Sequence, residues 1–217
     1  MYGELPEIET VDGGKVRAFP CLITHPEKQC LLRLPTSAEL MDYLGSQRSL
    51  MRDLGRGKSK YEEVPNPRAD RKLFDALRLD KNGEEFDDAE ALYAIGLITR
   101  IRVADCTRDG QQYIVSLYTL FGPTIHTVNG PWRKDMVEYS RTVDDPVTLP
   151  HGVEQHRFPP EVPCKLYDKI LVSVTGYTDT GNGSVLTNVV PPHHKRAVVN
   201  AVMEALSLLD PSLDPNS

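Results

Sequence analysis

Leu34-Pro35-Thr36-Ser37-Ala38-Glu39-Leu40-Met41-Asp42-Tyr43 aligns without gaps on Gly130-Pro131-Trp132-Arg133-Lys134-Asp135-Met136-Val137-Glu138-Tyr139. Proline and tyrosine are identical, and the order acid, apolar, apolar, acid is kept between them. Each block follows an expected hairpin, and each proline suits the start of a helix, where its missing N–H leaves no helical bond unmade. Lys72-Leu73-Phe74-Asp75 follows the first block and Lys165-Leu166-Tyr167-Asp168 the second, at nearly equal spacing. An apolar helix is expected after each, over 89–98 and 197–209. Self-similarity of this kind reads as an internal duplication. The expected fold class is therefore α+β, with two tandem copies of a β-hairpin–helix–helix module whose mixed or antiparallel sheets are covered by helices. The first module spans 1–98 and the second 99–209, with a long polar insertion at 142–163 and a tail at 210–217.

Local signals fill in the modules. Thr36 with Glu39, and Asp87 with Glu90, have the spacing of capping boxes, in which each partner satisfies a backbone N–H at a helix start. Leu40, Leu44, Met51 and Leu54 recur at helical spacing, widened by Met41 and Leu50, which predicts one helix running to about Leu54 and ended by Gly55 and Gly57. Residues 56–70 read as a loop, and 71–79 as a short helix. Strands are expected at 15–23, 30–34, 101–105, 113–120 and 124–128. Helices are expected at 131–141 and 193–209, with a helix or strand at 166–174. The stretch 142–163 holds Pro146, Pro150, Pro159, Pro160 and Pro163 and no periodicity. Long connections without secondary structure are uncommon inside a domain. This one is expected to lie against a neighbouring subunit, with Val153 and Phe158 as its apolar anchors.

Composition limits the classes of function. The chain has 217 residues, 40% hydrophobic and 26% charged, ordinary values for one large or two small globular domains. A net charge of −6 argues against general affinity for nucleic acid or anionic membrane, which call for a basic surface. No apolar run approaches the roughly 20 residues of a membrane span. The acidic, polar opening Met1 to Glu7 is not expected to be a signal peptide. Cys21, Cys30, Cys106 and Cys164 form no CxxC pair and are expected to be reduced, part-buried thiols.

Chemical signatures are weak. Gly55-Arg56-Gly57-Lys58-Ser59 is shaped like the end of a phosphate loop, but the glycine needed five residues before the Gly-Lys pair is Arg52. Arg48, Arg52, Arg56, Lys58 and Lys60 instead make a basic patch on an acidic chain, suited to docking an acidic partner. Trp132, one residue into an expected helix, is a candidate interface anchor. Asp80 to Asp88 has its glycine at position four, whereas a calcium-binding EF-hand loop needs it at six. His151, His156 and His193 are the nearest approach to a metal set, yet no HExxH, HxH or Cys/His spacing accompanies them, so neither a metal nor another cofactor is expected. No GxSxG elbow is present and no catalytic residue is assigned. The enzymatic alternative is a hydrolase with a dispersed site that uses His126, His151 or His193 with a nearby acid. A regulatory binding module working through the 48–60 patch is a third reading.

Arg33-Leu34-Pro35-Thr36-Ser37-Ala38-Glu39-Leu40, with the later Lys72-Leu73-Phe74-Asp75, resembles small proteins encoded among the tail and virion genes of tailed bacteriophages, some of them tail assembly chaperones and others minor virion proteins. Gly14-Lys15-Val16-Arg17-Ala18-Phe19-Pro20, followed by Glu27-Lys28, is similar to the start of baseplate-associated proteins of contractile-tailed phages. The resemblance lies in the first module and departs after Leu79. It implies a non-catalytic structural or assembly role in the tail, baseplate or neck of a virion assembled in the host cytoplasm. The implied partners are other virion or assembly proteins, or copies of the chain itself, and neither a small-molecule substrate, nucleic acid nor membrane. A tail assembly chaperone absent from the mature virion is the alternative. The resemblance brings no catalytic residue with it.

Overall fold

Both capping boxes form as their spacing predicts. Glu39 Oε2 accepts from the Thr36 N–H at 2.9 Å while Thr36 Oγ1 accepts from the Glu39 N–H at 3.3 Å. Asp87 and Glu90 repeat the exchange, at 2.8 Å in each direction. The Arg33 guanidinium, 2.8 Å from Glu39, holds that carboxyl down at about 2, with help from Thr36. The computed structural model describes residues 7–9, 15–24, 27–46, 49–53, 59–63, 67–80, 84–120, 122–130, 145–149, 153–157, 160–177 and 190–209. It is α+β, with five helices and antiparallel sheets among those residues. The chain divides into two units, one of residues 1–47 and 66–100, the other of 48–65 and 101–217.

The first unit holds β1 (Glu7–Glu9), β2 (Lys15–Thr24) and β3 (Glu27–Arg33), paired antiparallel in that order, with α1 (Ser37–Ser46), α2 (Pro67–Leu77) and α3 (Asp88–Thr99). Leu32, Phe74, Leu77 and Ile95 are fully buried. Phe86 packs on Phe74 at 5.4 Å between ring centroids, and the Arg78 guanidinium covers its other neighbourhood at 4.7 Å. Tyr43 is buried, and its hydroxyl donates to the buried Asp70 at 2.7 Å. Its expected counterpart Tyr139 lies outside the described residues, as does the whole 131–141 helix on which the duplication would be compared.

The second unit contains two four-stranded sheets. One has the order β5 (Ser59–Glu63), β4 (Ser49–Asp53), β10 (Val153–Arg157), β9 (Asp145–Leu149). The other has the order β11 (Leu171–Thr175), β8 (Gly122–Asn129), β7 (Gln112–Thr119), β6 (Ile101–Asp109). Alternation along β7 and β8 sends Tyr113, Val115, Leu117, Thr124, His126 and Val128 to one buried face. Onto it pack α4 (Glu161–Ile170) and α5 (Pro192–Leu209), which contribute Leu166, Tyr167, Val198 and Val202. The Asp109-Gly110 turn forms with Gly110 at φ +60, where a side chain would be disfavoured.

Three expectations are corrected here. The first helix ends at Ser46, and Leu50 and Met51 belong to β4 rather than to a helix extending to Leu54. At that end the Ser46 hydroxyl lies 2.6 Å from the Asp42 carbonyl and 3.0 Å from that of Tyr43, a local side-chain-to-backbone bond that competes mildly with helix continuation. Residues 56–70 are not all loop: β5 and the start of α2 lie within them. The 142–163 stretch contains the β9–β10 hairpin and the start of α4. Its Pro146 lies on β9, the edge strand of this sheet among the described residues, which is where prolines within sheets are found.

Candidate functional site

The densest polar chemistry among the described residues lies on the buried face of the β6–β8 and β11 sheet. Strand alternation alone puts Thr124 and His126 there, between the apolar Val115 and Val128. His126 is fully enclosed, so both ring nitrogens need partners within the protein. Tyr167 of α4 meets Nδ1 at 2.7 Å, and Thr124 Oγ1 meets Nε2 at 3.1 Å. Tyr177, just beyond β11, lies 3.3 Å from Nε2 and 2.6 Å from Nδ1 of His194 in the first turn of α5.

One proton assignment accommodates the four contacts among these five residues. Tyr167 O–H donates to His126 Nδ1, His126 Nε2–H donates toward Tyr177 and Thr124, and Tyr177 O–H donates to His194 Nδ1. The chain thus runs in one direction, and each bond polarises the next. Burial lowers His126 to about 4, and lowers His194 to about 2 with a further contribution from His193 and His126. Burial also raises both phenols, Tyr167 and Tyr177, well above the ordinary tyrosine value. At neutral pH the cluster is therefore uncharged.

Two backbone features hold Tyr177 and His194 in place. Gly176 has φ +95, and a Cβ there would stand 2.5 Å from the Pro123 carbonyl oxygen, so only glycine fits this turn. At the helix start, the Pro191 carbonyl accepts from the N–H groups of His194 and Lys195 at 3.0 and 3.1 Å. Lys195 is nearly buried and pairs with Asp168 at 2.6 Å, its ammonium 5.7 Å from the Tyr167 ring centroid. His193 stacks edge-on against His194, and its Nδ1 is buried without a protein partner. Burial lowers it to about 4.

Of the histidines singled out in the sequence, the structure brings His126 and His193 toward one cluster through His194. His156 lies on β10, opposite Ser49 and Pro146, and His151 lies outside the described residues. No group of three metal-ligating side chains occurs among the described residues. Asp168, the acid nearest the cluster in the chain, is engaged by Lys195 rather than by a histidine. What this arrangement does chemically is join β8, the turn after β11, α4 and α5 through one continuous chain of hydrogen bonds.

The partner-binding candidates are placed as follows. Arg52 on β4 stands directly opposite Lys60 on β5, and β10, which begins at Val153, pairs with the other side of β4. Arg48, Arg56, Lys58, Trp132 and Phe158 lie outside the described residues. Sequence reasoning did not identify Thr124, Tyr167, Tyr177 or His194 as a set. The available signal was Thr124 and His126 at alternate positions of an apolar strand, because two polar groups on a buried face require partners. No protein-family model, curated protein or solved structure matches this chain.

Proposed function

We propose that this chain is a non-catalytic structural or assembly protein of a tailed-phage particle, acting through protein–protein contacts in the tail, baseplate or neck. The observation that carries the binding role is the outer face of the β6–β8 and β11 sheet. Tyr118 is 52% and Ile125 45% exposed there, diagonal neighbours across β7 and β8. Large apolar groups presented together on a sheet face mark a contact surface. The phage setting rests on the resemblance carried by Arg33 to Leu40 and Lys72 to Asp75. The tandem-copy reading of the two modules belongs to the same proposal and rests on the aligned blocks at 34–43 and 130–139.

A second copy of the chain is the occupant this face fits best. Arg102, opposite Tyr118, and Asp105 and Asp109, opposite Ser116 and Gln112, give one face both signs of charge along β6. A two-fold related copy reverses the strand direction and sets cation against anion.

Ile125→Asp tests this reading, because it places a charge in the centre of the face while leaving the buried side of β8 untouched. The expected result is loss of self-association in light scattering with an unchanged thermal melt. Unchanged association would remove the face from the account.

A further inference from the structure

Cys21 and Cys30, unremarkable in sequence spacing, are Cα partners across β2 and β3. Their neighbours determine what kind of pair they are. The Leu79 N–H donates to the Leu31 carbonyl at 2.9 Å, alongside the bridge that sets Leu32 opposite Arg78, so that carbonyl is turned away from β2. Leu31 stands opposite Pro20, which has no N–H to give, and a non-hydrogen-bonded pair at this position leaves no ladder bond unmade. Pairs alternate along an antiparallel ladder, so Cys21 and Cys30 are a hydrogen-bonded pair, with Cα atoms about 5.5 Å apart. That value falls at the commonest Cα separation for disulfides, about 5.5–6 Å.

We propose that Cys21 and Cys30 are a redox modification site, joined by a cross-strand disulfide through exchange with a low-molecular-weight disulfide such as oxidised glutathione. This proposal is independent of the assembly role. One cysteine thiolate attacks a sulfur of the small disulfide, giving a mixed disulfide and releasing one glutathione thiolate. The other cysteine thiolate then attacks the protein sulfur of the mixed disulfide and displaces the second glutathione. Two protein thiols are oxidised, one small disulfide is reduced to two thiols, and both protons end on the released glutathione.

The geometry also determines how the bond behaves. Directly opposed Cβ atoms lie about 4.5–5.5 Å apart, wider than the roughly 3.8 Å of a relaxed disulfide. Closing the bond must therefore draw the strands together locally, and strained disulfides are the readily reduced ones. Cys30 is only 3% exposed, so exchange proceeds through local opening of the hairpin. Burial pushes Cys164 up to about 11 and raises Cys106, with Asp105 adding to the latter, so both are scarce as thiolates.

The test is to expose the full folded chain to oxidised glutathione, block remaining thiols with iodoacetamide and digest with trypsin. Cleavage after Arg17, Lys28 and Arg33 separates residues 18–28 from 29–33. The expected product in most molecules is these two peptides linked, two hydrogens lighter than their sum and released by dithiothreitol. Three outcomes would overturn the proposal: Cys21 and Cys30 recovered alkylated, recovered each with glutathione attached, or linked instead to Cys106 or Cys164. Cys30→Ser provides the control, in which the linked species must vanish.

Discussion

The hydroxyl of Tyr177 lies 2.6 Å from Nδ1 of His194, tying the turn that follows β11 to the first turn of α5. The same hydroxyl reaches His126 on β8, so one phenol oxygen joins a sheet strand to a helix start. Tyr177→Phe leaves the ring in place and takes the oxygen away. His194 Nδ1 is then buried without a donor, a loss worth about 1–3 kcal/mol. Urea unfolding followed by circular dichroism should show that loss, and an unchanged midpoint would mean the bond contributes nothing.

Acid should dismantle the same cluster. His126, His193 and His194 all have folded values below the ordinary 6.5, near 4, 4 and 2, because burial disfavours the imidazolium. A lowered folded value means the unfolded chain takes up protons first as pH falls. The stability these groups contribute is complete above pH 6.5 and is lost from there toward the folded values. Each contributes a slope of about 1.4 kcal/mol per pH unit across that window. Stability measured from pH 7.5 to 4.5 should therefore fall with a slope approaching three protons, and His126→Gln should reduce it by one. A flat profile over that range would contradict the enclosed cluster.

Gly176→Ala makes a sharper demand on the backbone. The turn at φ +95 and the 2.5 Å approach to the Pro123 carbonyl leave no room for a methyl group. Strain of this kind costs about 1–3 kcal/mol, and its relief must displace Tyr177. Thermal melting should record the loss, with an added fall in the acid slope as His194 becomes accessible.

In the first unit, Tyr43→Phe removes the donor to the buried Asp70. Hydrogen bonds to a charged group contribute about 1.5–3 kcal/mol, so destabilisation of that size is expected in chemical denaturation. A neutral effect would show that Asp70 has adequate partners without the phenol.

Much of the architecture could be read locally, and the parts that could not share a physical cause. Thr36–Glu39 and Asp87–Glu90 specify their helix starts within a few residues, and the β7 and β8 alternation needs only a run of eight. Leu50 and Met51 fit a helical stripe as well as a five-residue strand, and the partners that decide between them, Glu62, Tyr61 and Gln155, include one from a distant part of the chain. The hydrogen-bonded cluster failed to show for the same reason. His126, Tyr167, Tyr177 and His194 come from four separate elements, so no spacing links them until the sheet and helices meet. Cys21 and Cys30 were visible only as isolated thiols, because the register of a hairpin is set by its turn.

Sedimentation equilibrium of the reduced, full-length chain across a wide concentration range tests the central claim most directly. The chain mass is 24.3 kDa. An assembly protein with an open, two-signed sheet face should give masses that rise to a whole multiple of that value, and added salt should weaken the association as charge complementarity is screened. A single 24.3 kDa species at every concentration and salt level would contradict self-assembly through this face.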